Sequence, residues 1–179
     1  MKKVCAFLLA IVLLLQLSGC GIYEIMTGDT DRINAMSEEI IRCLVEKDRD
    51  TLEKLFCQKV RDTAKFEAQM DDLYTFFDYD SFIRYDLDGN HAQSHSTEAG
   101  ERVEWLVCAE IIYIEVFHEA EDESRFYGIT YDWTATYQND TSLVGLHTLT
   151  VFLLNSPEEK TVGTDRYFTF GSSDAGDEL

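Results

Sequence analysis

The spacing of the apolar residues changes once along the chain, near residue 78, and this change constrains the fold more than any other feature. From Ile33 to Phe77, apolar residues recur every three or four positions, which is typical of helices with one buried face. From Ser81 onward they alternate with polar residues or run without interruption, which is typical of strands. Helices followed by consecutive strands predict an α+β fold, with N-terminal helices packed on a curved antiparallel sheet.

Three helices are expected before the change of period. The first is capped by Asp29, Thr30 or Asp31, the second begins with an Asp50–Glu53 capping box, and Thr63 can cap the third. The residues expected to face the core are Ile33, Met36, Ile40, Leu44, Val45, Leu52, Leu55, Phe56, Val60, Phe66, Met70, Leu73 and Phe77.

Five strands are expected after it, over residues 81–86, 104–118, 126–137, 143–154 and 164–170. The polar stretch 87–100 is expected to be a loop, with Asp88-Gly89 as a hairpin signal. The strand 104–118 is apolar on both faces, which favours a central position in the sheet. The strand 126–137 alternates most clearly, so Tyr131 and Trp133 share one face while Asp132 lies on the other.

The first twenty residues predict export of the protein and its attachment to a membrane. Two lysines precede an apolar run from Val4 to Leu15, and Leu17-Ser18-Gly19-Cys20 closes it in the pattern of a lipobox. We therefore expect residues 1–19 to be a lipoprotein signal peptide and Cys20 to carry a diacylglycerol. An ordinary signal peptide and a plain membrane anchor are the alternatives, although the run is short for a span.

A lipoprotein signal peptide predicts that the chain lies on the outer face of the cytoplasmic membrane, where lipid on Cys20 anchors it. Residues 20–30 then serve as a tether, 31–170 form a single α+β domain, and 171–179 are a disordered acidic tail.

The charge balance excludes some partners. Lys2 and Lys3 are the only charged residues among the first 19, so the rest of the chain carries 13 basic and 34 acidic residues, a formal net charge of −21. Such a chain is unsuited to nucleic acid and is repelled by anionic lipid. The acidity serves either solubility alone or an acidic docking face.

Three cysteines lie beyond Cys20, and an odd number is notable outside the cell. Cys43 and Cys57 fall on neighbouring predicted helices, where a disulfide and two free thiols are both open. Cys108 lies within an apolar strand and is expected to be a buried free thiol.

An aromatic stripe supplies the candidate pocket. Phenol and indole groups at alternate positions of one strand, with a histidine on the next, can orient a ligand, although the same residues can simply form the core. The candidate pocket residues are Tyr127, Tyr131, Trp133, Tyr137 and His147.

Two other groups of residues suggest a site. Asp132 beside His147 would be a general acid/base pair, unless Asp132 faces solvent. His91 and His95, with carboxylate and amide neighbours, resemble metal ligands, but a solvated hairpin loop explains the same residues and is favoured. Those neighbours are Asp86, Asp88, Asn90 and Glu98. No catalytic residue, metal or cofactor is assigned from the sequence, because no nucleophile motif and no phosphate loop is found in it.

Several short segments together resemble a known group of proteins. They are the lipobox, Cys43-Leu44-Val45-Glu46-Lys47-Asp48, Leu55-Phe56-Cys57-Gln58-Lys59-Val60 and Val144-Gly145-Leu146. The chain resembles, over residues 20–170, an uncharacterised family of lipoproteins from Gram-positive gut Clostridia. That family is similar to the nuclear-transport-factor-2-like, or cystatin-like, fold, a cone of bent sheet around helices.

The resemblance implies a fold but no activity, because this fold hosts isomerases, dehydratases, binding domains and dimerisation modules. The leading hypothesis is an extracytoplasmic domain that binds a small molecule or a protein. The alternatives are a small hydrolase or isomerase that uses Asp132 and His147, and a structural homodimer.

Overall fold

A computed structural model describes residues 28–87, 90–119 and 121–164 of the chain. The chain divides into two compact units, Met1–Glu38 and Glu39–Leu179, and the strands that the structure describes belong to the second. The predicted signal peptide, Cys20, the predicted strand 164–170 beyond its first residue, the acidic tail and the Asp88-Gly89 hairpin signal lie outside the described residues.

Four helices come first in the described residues. Residues 28–45 form helix α1, and Arg49–Leu55, Gln58–Arg61 and Phe66–Phe76 form α2, α3 and α4. The predicted first helix is therefore confirmed. In the part of the chain that is described, no helix has both the length and the apolarity to cross a membrane.

The predicted second helix is broken in two, and its predicted cap is wrong. The N-cap of α2 is Asp48, whose carboxylate accepts a hydrogen bond from the Thr51 backbone N–H. The break follows at Phe56, which is extended and forms an isolated parallel bridge with Leu146. The Cys57 N–H donates to the Leu146 carbonyl at 3.0 Å, so pairing with the sheet interrupts the helix here.

The third helix is confirmed, but Thr63 is not its cap. The hydroxyl of Thr63 donates to the carbonyl of Val60 at 2.8 Å, and Lys65 occupies the N-cap position without a side-chain cap. Thr63 thus closes the end of α3 instead of starting α4.

Six antiparallel strands form one sheet in the described residues. They are β1 Ser81–Asp86, β2 His91–Glu98, β3 Glu101–His118, β4 Glu123–Tyr137, β5 Gly145–Leu153 and β6 Glu159–Gly163. The order is β1-β3-β4-β5-β6, and β2 also pairs with β3. Since β1 pairs with residues 113–117 of β3 and β2 with residues 101–109, the two short strands follow one another along the same edge.

The prediction of a loop over residues 87–100 is wrong, because most of this segment forms β2. Nearly every side chain of β2 is exposed, so the strand has no apolar alternation to reveal it. Its backbone ladder with β3 holds it, and a two-residue turn closes the hairpin at Ala99 and Gly100, with φ of 51° and 85°. The strand β6 is likewise absent from the sequence prediction, and a 3-10 helix, Thr141–Leu143, occupies the predicted start of β5.

The sheet is curved and does not close, and bulges contribute to its curvature. Ile111 pairs with Ile129 but Ile114 pairs with Tyr127, so β3 has one residue more than β4 at this point. Bulges of this kind bend a strand and increase its twist. The predicted α+β class, with helices on a curved antiparallel sheet, is confirmed and is consistent with a cone-like fold.

The core lies between this sheet and the helices. The Tyr127 hydroxyl donates to the Phe76 carbonyl at 3.1 Å, and its ring lies 4.9 Å from that of Phe77. The rings of Phe56 and Phe66 meet edge to face at 5.2 Å. Each fully buried large apolar side chain contributes roughly 1.5–3 kcal/mol, so this layer is the main source of stability.

Candidate functional site

Three side chains line up across the sheet on the face that points away from the helices. Cys108 on β3, Asp132 on β4 and Thr148 on β5 are directly paired in register. The Cys108 thiol donates to Asp132 Oδ1 at 2.9 Å, and the Thr148 hydroxyl donates to Asp132 Oδ2 at 2.5 Å. We call these three residues the Asp132 cluster; its two donors fix the orientation of the carboxylate.

A cavity of about 350 Å³ lies over this cluster. It is located where β2 begins along the edge of β3, next to the gap between β1 and β2. The lining residues are Asn90, His91, Ala92, Cys108, Ala109, Glu110, Thr130, Tyr131, Asp132 and Thr148.

The lining of the cavity is acidic. Among the described residues that line it are two carboxylates, from Asp132 and Glu110, and no lysine or arginine. Asp132 is half-buried and forms no ion pair with any residue in the described ranges. The remaining polar groups are hydroxyls, an amide and an imidazole, so the cavity can accept hydrogen bonds at many points.

Cys108 is a hydrogen-bond donor in this site and not a nucleophile. Burial, together with the neighbouring Asp132 carboxylate, raises the pKa of its thiol to about 12. The thiol therefore keeps its proton at neutral pH, whereas reactive cysteines have a lowered pKa. The prediction of a free thiol is confirmed, although the side chain is half-buried and not fully buried.

His147 makes separate contacts nearby. It is fully buried, and its Nε2 lies 2.8 Å from Thr134 Oγ1 and 3.0 Å from the Leu143 carbonyl. Burial lowers its pKa, and the charge of Asp132 partly opposes this effect. The imidazole and the Asp132 carboxylate are each hydrogen-bonded to other partners.

The aromatic residues of the predicted pocket lie mainly in the core. Tyr127 and Tyr131 are fully buried, and Trp133 packs 5.6 Å from Trp105. Tyr137 is half-buried at the end of β4. Of the five predicted pocket residues, only Tyr131 borders the cavity, so the pocket on the aromatic face remains a prediction.

The two histidines considered as metal ligands lie apart along one strand. His91 and His95 both lie on β2, four positions apart, so their Cα atoms are about 13 Å from each other. Within the described ranges, no group of three or more His, Cys, Asp or Glu side chains is arranged to hold a metal ion. His91 borders the cavity instead.

Cys43 and Cys57 are two free, buried thiols, so the open disulfide alternative is not realised. Arg42 Nη2 lies 3.4 Å from the Cys43 sulfur, and burial raises the pKa of this thiol to about 11. Both cysteines act as small core residues.

Sequence reasoning identified Asp132 but missed its partners. Cys108 and Thr148 lie 24 and 16 residues from Asp132, and only strand register brings them to it. The run of acidic residues between β3 and β4 in the sequence was the available signal, because a hairpin closed there sets Cys108 opposite Asp132.

Comparison with known proteins gives a family and no activity. A search of curated proteins found no match. The model of a family described as "Domain of unknown function (DUF5104)" matches residues 39–155, which is more than half of the chain and includes the Asp132 cluster. The chain therefore belongs to this family of domains of unknown function.

Proposed function

We propose that this protein is a lipid-anchored, extracytoplasmic domain that binds a small ligand in the cavity over the Asp132 cluster. The address rests on the lipobox ending at Cys20. The binding role rests on one observation, a cavity whose wall holds a carboxylate oriented by two donors. Preorganised polar groups in a concave site are typical of ligand-binding pockets.

The geometry favours binding over catalysis. The Cys108 thiol is protonated and both Asp132 oxygens already accept hydrogen bonds, so neither group is prepared to attack a substrate. His147 is fully buried and hydrogen bonds within the protein, so it does not present a free base to the cavity.

Membrane anchoring is tested by fractionation of bacteria that express the full chain. We expect the wild-type protein in the membrane fraction, with the mass of a diacylglycerol on Cys20. Cys20→Ser should abolish that mass, whereas Cys108→Ser should leave it unchanged. Recovery of wild-type protein without lipid in the cytosol would refute the proposed address.

Ligand binding is tested by native mass spectrometry of the mature lipoprotein, released from its membrane with mild detergent. We expect a reproducible excess mass on the wild type that is lost in Asp132→Asn and kept in Glu98→Gln, an exposed acid outside the cavity. A bare monomer would contradict ligand binding. A bare species of twice the monomer mass would also contradict it and would favour the homodimer alternative.

A further inference from the structure

We infer that the cavity over the Asp132 cluster selects a small organic cation with N–H donors, such as a primary amine. This inference rests on the proposed binding function and specifies its ligand class. It depends on three properties of the cavity: its charge, the free acceptor positions of Asp132, and its size.

The charge of the lining favours a cation. Asp132 and Glu110 are both acidic, and no lysine or arginine stands beside them among the lining residues that the structure describes. A half-buried carboxylate is costly to desolvate without an opposite charge, and a cationic ligand supplies that charge when it displaces water. An anionic ligand would meet repulsion from both carboxylates.

The hydrogen bonds of Asp132 leave room for donors. Each ionised carboxylate oxygen can accept about two hydrogen bonds. Cys108 uses one position on Oδ1 and Thr148 uses one on Oδ2. Acceptor positions on both oxygens therefore remain for a ligand, and charge-assisted bonds from an ammonium group are the strong kind.

The size of the cavity limits the ligand. Its volume of about 350 Å³ is near the lower end of the range of roughly 300–1,000 Å³ for small-molecule pockets. A diamine, an amino alcohol or an amino sugar is of suitable size. The hydroxyls of Thr130 and Thr148 can bind polar groups on the rest of such a molecule.

The experiment is isothermal titration calorimetry of the mature, detergent-solubilised lipoprotein in low-salt buffer. Three probes of equal chain length differ in charge: 1,4-diaminobutane, 1,4-butanediol and succinate. Calcium chloride is the fourth probe and tests for a metal cation. We expect binding of the diamine only, weakened by added salt because the site is partly open to solvent.

Two variants test the site, and one is the matched control. Asp132→Asn should weaken diamine binding by about tenfold or more, because it removes the charge-assisted hydrogen bonds. Glu110→Gln removes an exposed carboxylate, so it provides the test if Asp132→Asn does not fold, and should also weaken binding. Glu98→Gln removes the same charge outside the cavity and should leave the affinity unchanged.

The other outcomes separate this inference from the proposed function. Equal or tighter binding of butanediol or succinate, binding of calcium alone, or no binding of any probe would each overturn the organic-cation class. A co-purified mass that depends on Asp132 would still support ligand binding in that case. If diamine binding and the co-purified mass that depends on Asp132 are both absent, the proposed function is overturned as well.

Discussion

At the residue scale, Gly128 and Phe152 show how closely the sheet is packed on its helix-free face. They are cross-strand partners on β4 and β5. A Cβ atom added to Gly128 would overlap the ring carbons of Phe152. The phenyl ring therefore covers the glycine and occupies the space that a side chain would need, which compensates for the low strand propensity of glycine.

We predict that Gly128→Ala destabilises the protein by about 0.5–1.5 kcal/mol, because the half-buried Phe152 ring must leave its preferred rotamer to admit the new methyl group. The measurement is the free energy of unfolding from urea titration. Gly28→Ala is the control, since a Cβ there meets no atom within 4 Å. Adding Phe152→Leu to Gly128→Ala should recover part of the loss, and equal stabilities of Gly128→Ala and wild type would contradict this packing.

The same scale shows why only part of the candidate site was predictable. Alternation along one strand was enough to separate Asp132 from Tyr131 and Trp133. The two donors to Asp132 come from other strands. Their distance from Asp132 depends on strand register and on the bulge in β5 that lies opposite Asp132 and Trp133 of β4. Hydrophobic spacing within one strand does not encode that register.

At the scale of secondary-structure elements, helix α2 begins at a cap residue, Asp48, that the predicted Asp50–Glu53 capping box did not identify. Asp48 accepts from the Thr51 N–H at 3.2 Å and from Arg42 Nη2 at 3.0 Å. The Asp50 of the predicted capping box is instead an exposed residue of the first turn. Both positions carry an aspartate, so the spacing of residue types alone did not distinguish them.

We predict that Asp48→Ala lowers the free energy of unfolding more than Asp50→Ala does, because only Asp48 satisfies a backbone N–H at the helix end. Chemical denaturation of the two variants against wild type measures this difference. Asp48→Asn, which keeps a cap oxygen, should be milder than Asp48→Ala. The reverse order of Asp48→Ala and Asp50→Ala would favour the sequence-predicted cap.

Strands with a buried face were predictable from the sequence, and the exposed strand β2 was not. The strands β3, β4 and β5 each bury apolar side chains, so their composition reveals them. By contrast, β2 is stabilised mainly by backbone pairing and by a hydrogen bond from Trp105 Nε1 to Gln93 at 2.9 Å. Hydrophobic periodicity reports burial, so it does not reveal a strand that buries little.

At the scale of the whole molecule, the three described cysteines make the free energy of unfolding fall at alkaline pH. Burial raises the pKa of Cys43 to about 11, raises that of Cys57, and together with Asp132 raises that of Cys108 to about 12. As pH rises above the ordinary thiol pKa, the unfolded chain releases these protons first. The folded state then binds more protons than the unfolded state, so stability must fall with pH.

We predict that the free energy of unfolding decreases from about pH 9 upward, with the loss extending toward the raised pKa values. Denaturant titrations in the presence of a thiol reductant measure it. Cys108→Ser should show a shallower decrease than wild type, because it removes the most strongly shifted thiol. A stability that stays constant between neutral pH and pH 11 would contradict these protonated, buried thiols.

The shared edge of β3 also has a consequence for protein engineering. Because β1 and β2 pair with different halves of β3, the hairpin of β2 and β3 ends in a turn that takes no part in the pairing of β1. The turn consists of Ala99 and Gly100 and is exposed. Foreign peptides grafted at this turn would be displayed at the tip of the hairpin, while the helices and the cavity stay intact.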